Sequence, residues 1–231
     1  MNLFITGSSS GLGEAFAEYF KDEKVYGLGR TEREDSVYDY AQVDISDFDA
    51  LQAKLKELFV DVKKLDLIIL NAGVLGRIQD TSACDIKELQ KEMDINMWSN
   101  KIILDFFIKE QIEVTQVIAI SSGASVNGSL GWNGYSLSKA ALNMLIKLYA
   151  AEMKSTHLTA LAPGLVKTKM LDSILEGDHD TQRYTSVQSL RQSEKDGVVY
   201  SPKDVVVKIV NLLDALKSKP SGSFIDIRDV S

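Results

Sequence analysis

Seven strand-like runs recur along this chain, some of them buried in pattern, such as residues 2–6 and 114–120, and stretches of helical periodicity lie between them. The runs are residues 2–6, 24–28, 38–43, 66–70, 114–120, 158–162 and 223–227, and the helical stretches are 14–20, 47–59, 85–109, about 135–153 and 202–217. A strand that reads as a continuous apolar run is covered on both faces, which is the situation of a parallel sheet. Parallel neighbours need long crossovers, usually helices. The alternation therefore predicts an α/β fold, a doubly wound parallel sheet of about seven strands with helices on both faces. The 231 residues fill one such domain and are too few for two of ordinary size, so residues 1–231 are read as a single domain.

The first strand breaks into Gly7-Ser8-Ser9-Ser10-Gly11-Leu12-Gly13 before a helix. Strand, glycine-rich turn and helix together aim backbone N–H groups and a helix N-terminus at a phosphate. Gly7 would make the tight turn, Gly11 would admit a pyrophosphate, and Gly13 would let helix and strand pack closely. Ser9, Ser10 and Leu12 complete the turn. The spacing differs from G-x-G-x-x-G, and no G-K-[ST] follows, which argues against a P-loop. The second strand ends in Gly29-Arg30-Thr31. A carboxylate here would favour NAD through the ribose 2′-hydroxyl. A guanidinium instead fits a 2′-phosphate, so NADP(H) is favoured and NAD(H) remains the alternative. Arg30 also reads as an ordinary surface arginine, with Arg33 beside it and Glu32, Glu34 and Asp35 diluting the local charge. The fourth strand runs into Asn71-Ala72-Gly73, small enough for backbone to lie against a flat ligand. Asn96 sits inside a helical pattern, where Asn is mildly unfavourable; it either faces solvent or has a task.

The segment from Ser121 to Lys139 carries the reactive groups. Ser122 stands at the exit of a strand, where α/β sheets place ligands, and Tyr135 and Lys139 are four apart, on one helix face. A free phenol has a pKa of roughly 10. A cation at about 4 Å, at an effective dielectric near 20, stabilises the phenolate by on the order of 4 kcal/mol, roughly three pKa units. Lys139 is expected to bring Tyr135 towards 7 in this way, with Ser122 holding the oxygen that gains or loses the proton. Taken alone, Tyr-x3-Lys more often marks a half-exposed ring and a solvated charge.

A net charge of −7 argues against a nucleic-acid groove or an anionic membrane surface as partner. No apolar run is long enough to span a membrane. No basic flank or cleavage site precedes the first strand, so a signal peptide is not expected. Cys84 is the only cysteine, and His157 and His179 are the only histidines, so neither a disulfide nor a His/Cys metal site is expected. These features predict a cytoplasmic protein. Residues 165–199 have weak periodicity, and so long an irregular stretch is read as a substrate lid. Trp132, Leu165 and Met170 are candidate substrate contacts by their place near the active elements, and each could equally belong to the core.

Thr6-Gly7-x3-Gly11-x-Gly13, Asn71-Ala72-Gly73, Asn96, Ser122, Tyr135-x3-Lys139 and Pro163-Gly164-x3-Thr168 occur in the order and spacing of the short-chain dehydrogenase/reductases, and the chain resembles that family over essentially its whole length. The resemblance implies a Rossmann-type fold and hydride transfer between a nicotinamide and a carbonyl or alcohol. It implies Tyr135 as proton donor or acceptor, Ser122 orienting the substrate oxygen, Lys139 also holding the nicotinamide ribose, and Asn96 positioning a water in the proton relay. Asp44 would approach the adenine, and Asn71, Ala72, Gly73, Pro163, Gly164, Val166 and Thr168 would frame the cofactor. NADP-dependent members often carry a basic residue just before the second glycine, where this chain has Ser10. Gly131-Trp132 before Tyr135 most resembles the sepiapterin and benzil reductase branch, which implies a small-molecule ketone or dicarbonyl with apolar or aromatic parts. The family also implies a homodimer or homotetramer. A cofactor-sensing regulator without turnover is the competing class, but it has no need of Ser122, Tyr135, Lys139 and Asn96 together. A sugar-nucleotide epimerase would need a larger domain after Pro163.

Overall fold

A computed structural model describes residues 1–32 and 38–230; Arg33, Glu34 and Asp35 lie outside the described residues. The chain runs β1 (Asn2–Thr6), α1 (Gly11–Tyr19), β2 (Lys24–Gly29), β3 (Asp39–Gln42), α2 (Phe48–Leu58), β4 (Lys64–Leu70), α3 (Ile86–Met93), α4 (Ser99–Lys109), β5 (Glu113–Ile120), α5 (Asn133–Glu152), β6 (His157–Ala162), α6 (Lys169–Glu176), α7 (Thr185–Lys195), α8 (Pro202–Lys217) and β7 (Ser223–Asp226). All seven strands are parallel, in the order β3-β2-β1-β4-β5-β6-β7. The predicted doubly wound α/β sheet is the fold observed.

Side-chain alternation in the strands feeds two cores. Phe4 and Ile68 pack on one face with Leu51 and Leu55 of α2, Phe107 of α4 and Ile146 of α5. Leu3, Ile5 and Ile69 pack on the other with Phe16 of α1 and Val206 and Ile209 of α8. The chain leaves the β3 edge and re-enters the sheet on the far side of β1 as β4. That reversal opens a crevice at the carboxyl ends of β1 and β4, the place such sheets bind ligands.

Two sequence expectations change. Residues 85–109 are not one helix: a π-helical turn, Asp94–Trp98, separates α3 from α4. Such turns interrupt the regular helical repeat, and this one carries Asn96, fully buried. Residues 165–199 are more regular than their periodicity suggests, because they contain α6 and α7. Helix α6 has only two turns, and α7 buries only Val187 fully, so neither leaves a long apolar stripe in the sequence.

Candidate active site

A cavity of about 940 Å³ follows the carboxyl edge of the sheet from the glycine-rich turn to Tyr135. Its first wall is the β1–α1 turn. Gly7 has φ +68°, and a Cβ on Gly13 would lie 2.2 Å from the Gly7 carbonyl oxygen. Close helix–strand packing therefore needs glycine at 13, as the sequence implied. Thr6 Oγ1 accepts from the N–H groups of Asn71 (2.9 Å) and Ala72 (3.0 Å), and Asn71 Nδ2 donates to Thr6 O at 3.0 Å. The ends of β1 and β4 are thus tied together, and Ser9, Ser10, Gly11 and Leu12 face the cavity. Ser10 is the N-cap of α1 and makes no side-chain cap, so the first N–H groups of α1 have no intrahelical partner and suit an anion.

Arg30 and Thr31 line the far end of the cavity, and both are exposed. Their backbone is held by β3: Tyr40 donates to Thr31 O at 2.6 Å and Gln42 Nε2 to Arg30 O at 2.9 Å. Asp44 lies beside them, its carboxyl held below the usual range by hydrogen bonds from the Ser46 N–H and hydroxyl. On the opposite side Gly164 (φ +78°) turns the chain after β6. Pro163, Val166 and Thr168 follow along the cavity wall, and Thr168 Cγ2 would stand 3.3 Å from a Cβ on Gly11.

Ser122, Tyr135 and Lys139 meet in the same cavity. Ser122 caps a short 3-10 turn, its Oγ accepting from Ala124 N at 3.1 Å. Two residues that the sequence reading passed over hold this turn. Asn143 accepts from Ser121 Oγ (2.6 Å) and donates to Ser125 Oγ (2.8 Å), and Ser125 Oγ in turn donates to Ser122 O (2.6 Å). The signal available was spacing: Asn143 is one turn beyond Lys139 on the same helix face.

The electrostatics correct one expectation. The Lys139 ammonium donates to Ile120 O at 2.7 Å and lies 5.8 Å from the centre of the Tyr135 ring. Burial pushes the Tyr135 phenol above its ordinary value, and the neighbouring Ser122 hydroxyl offsets only part of that. Turned to Ile120 O and 5.8 Å from the ring centre, Lys139 does not offset that burial. Burial also lowers Lys139 to about 8, so it keeps most of its charge at neutral pH. Desolvation outweighs attraction because the sheet end that orders these groups also removes their water.

Asn96 has its task. Its Oδ1 accepts from Val74 N (2.8 Å), and its Nδ2 donates to Val74 O (2.9 Å) and Ser138 Oγ (2.9 Å). Both amide protons are committed to fixing the segment after Gly73 against α5. Trp132 and Leu165 line the cavity, as do Leu75, Leu130, Met170 and Ile174. Trp132 Nε1 donates to Ser186 Oγ of α7 at 2.7 Å, and its ring centre is 6.2 Å from that of Tyr135.

The short chain dehydrogenase family matches residues 2–179. The chain belongs to that family. It is an NAD(P)-dependent oxidoreductase. A benzil reductase ((S)-benzoin forming) of Bacillus cereus is 28% identical over 247 residues, covering 97% of this chain and 98% of its own. A benzil reductase ((S)-benzoin forming) of Saccharomyces cerevisiae is 34% identical over 196 residues, 75% of this chain and 74% of its own. In fold, the chain superposes on a short-chain dehydrogenase/reductase of Saccharomyces cerevisiae with a TM-score of 0.83 at 23% identity, covering 98% of this chain and 96% of that one. The glycine cradle, the uncapped start of α1 and the length of the cavity fit a nicotinamide dinucleotide. Among the described residues no helix is long and apolar enough to cross a membrane, and no group of three or more His, Cys, Asp or Glu could hold a metal ion.

Proposed function

We propose that the protein reduces a ketone or dicarbonyl with apolar or aromatic parts to an alcohol, using NADP(H). The observation that carries this reading is the meeting of Ser122, Tyr135 and Lys139 at the end of β5, in one cavity with the glycine-rich turn. The nicotinamide, when bound, supplies the hydride. The chain's residues do the rest. Ser122 Oγ holds the substrate oxygen beside the Tyr135 phenol, and the phenol gives its proton to that oxygen. A phenol raised by burial is protonated throughout the neutral range, which suits an acid in the reductive direction. Lys139, anchored on Ile120 O, keeps a positive charge under the site, and Asn96 fixes the loop that faces it. Leu75, Leu130, Trp132 and Ile174 give the substrate end an apolar wall, and the benzil reductases among the relatives support an aromatic substrate.

The preference for NADP(H) rests on Arg30, exposed at the end of the cavity with Gly29 before it and no carboxylate in that place. Titration with NADPH and NADH, followed by nicotinamide fluorescence, should show tighter NADPH binding. Arg30→Ala should cost NADPH about 1.5–3 kcal/mol, the worth of a charge-assisted hydrogen bond, and leave NADH nearly unchanged. Equal loss for both cofactors would place the phosphate elsewhere.

Residues 165–199 act as a lid in this reading. Arg183 and Tyr184, just before α7, bind Asp80 on the loop after β4, through Arg183 Nε at 3.0 Å and the Tyr184 hydroxyl at 3.2 Å. Leu171, Ile174 and Val187 form a small apolar cluster with Leu75, Ile78 and Trp132. Limited proteolysis between 176 and 184 should slow when cofactor and ketone are both bound. Equal cleavage in free and bound protein would remove the lid.

A further inference from the structure

Glu92, on α3, is the buried acid that the proposed chemistry does not use. It is 8% exposed, and its Oε2 is buried with no hydrogen-bond partner. Two glycines make its space. A Cβ on Gly76, in the loop after β4, would lie 1.9 Å from Glu92 Oε1, and a Cβ on Gly134, in the first turn of α5, would lie 2.3 Å from Oε2. The carboxyl group thus stands between the loop that Asn96 fixes and the turn that carries Tyr135. That turn has no side-chain cap from Trp132, so its leading N–H groups lack intrahelical partners. The ionisable groups on the surrounding elements give no counter-charge. Glu88, one turn earlier on α3, opposes ionisation. Arg77 on the loop is paired with Glu88 at 3.5 Å, and Lys139 on α5 is turned to Ile120 O. Asp94 on the π turn carries the same sign as an ionised Glu92, and Tyr135 is a neutral phenol.

We infer that Glu92 is a positioning residue: its carboxyl group wedges the loop after β4 against the first turn of α5, and its protonation state sets where that turn holds Tyr135. The inference rests on Tyr135 being the proton donor. The neutral acid fits the gap. An ionised carboxylate has no cation there, and its nearest compensation is the uncapped end of α5, which it draws out of register with Ser122. Burial and the Glu88 charge raise the Glu92 pKa to about 7, so the change falls within the neutral range.

The test is the pH profile of kcat for ketone reduction between pH 6 and 8.5, together with the thermal midpoint of the cofactor-free protein. The wild type should lose turnover several-fold around pH 7, with KM little changed, and Glu92→Gln should abolish that limb, leaving only the one near pH 8 where Lys139 loses its charge. The stability effect has its own window. An acid whose pKa is higher folded than unfolded destabilises the fold as pH rises from the unfolded value to the folded one. The wild-type midpoint should therefore fall relative to Glu92→Gln between pH 5 and 7.5, and level off above. Glu92→Leu, neutral and apolar, serves if the Gln variant does not fold. A kcat limb near pH 7 that survives in the neutral variants overturns the inference, as does a midpoint difference independent of pH. Unimpaired turnover in Tyr135→Phe would refute the proton-donor reading instead, while leaving the midpoint test of Glu92 standing.

Discussion

Tyr135→Phe should lower kcat for carbonyl reduction by about 10²–10⁴, the usual worth of a positioned general acid, or roughly 3–5 kcal/mol of barrier. The substitution keeps the ring and its packing beside Trp132 and removes only the hydroxyl. Cofactor affinity should therefore stay within about twofold, and stability should change by less than about 1.5 kcal/mol, the net worth of one hydrogen bond. The pH dependence separates Tyr135 from its neighbours. Its phenol is pushed up by burial, so the acid form is lost only in the alkaline range above its ordinary value, and Tyr135 itself contributes no limb near neutrality. Steady-state kinetics and NADPH titration of the variant decide the matter. A loss under tenfold would mean that another group, Ser122 or a water, delivers the proton.

The strands and the site differed in how far they could be read ahead. A strand such as residues 66–70 announces itself because both of its faces are covered, and the glycine turn because Gly7 and Gly13 do what only glycine can do there. Tyr135 and Lys139 share a helix face, so their meeting was legible from spacing alone. Their electrostatics were not. Spacing brings a charge near a phenol, but it does not say that the ammonium will turn to Ile120 O or how much water the sheet end excludes. Glu92 stands in Lys87-Glu88-Leu89-Gln90-Lys91-Glu92, where every charge looks solvated. Its burial comes from Gly76 and Gly134, 16 and 42 positions away. Helix α7, polar apart from Val187 and Leu190, left no stripe to find. Its place is set by a small cluster with Leu75, Ile78 and Trp132, contacts that no local window contains.

Asn96 is the clearest case of such distant determination, with partners 22 and 42 residues away, and it carries the second large expected effect. Asn96→Ala would leave Val74 N and Val74 O without their side-chain partners, and each orphaned group costs about 1–3 kcal/mol. Because both groups are only partly buried, we expect a total of roughly 2–4 kcal/mol. At about 2–4 °C per kcal/mol for a chain of this size, thermal unfolding should shift down by roughly 5–15 °C. The loop that loosens begins at Gly73, which packs so closely that a Cβ there would lie 3.1 Å from Asn96 Oδ1 and 3.5 Å from Lys139 Nζ. Cofactor affinity should fall together with stability. Asn96→Asp should be at least as damaging, because it keeps the acceptor for Val74 N but turns a carboxylate towards Val74 O. A residue serving only to position water in the proton relay would behave differently, losing kcat while its melting temperature and cofactor affinity stayed at wild-type values. Measuring the three together separates the two roles, and the full commitment of the Asn96 side chain to Val74 and Ser138 predicts that all three fall.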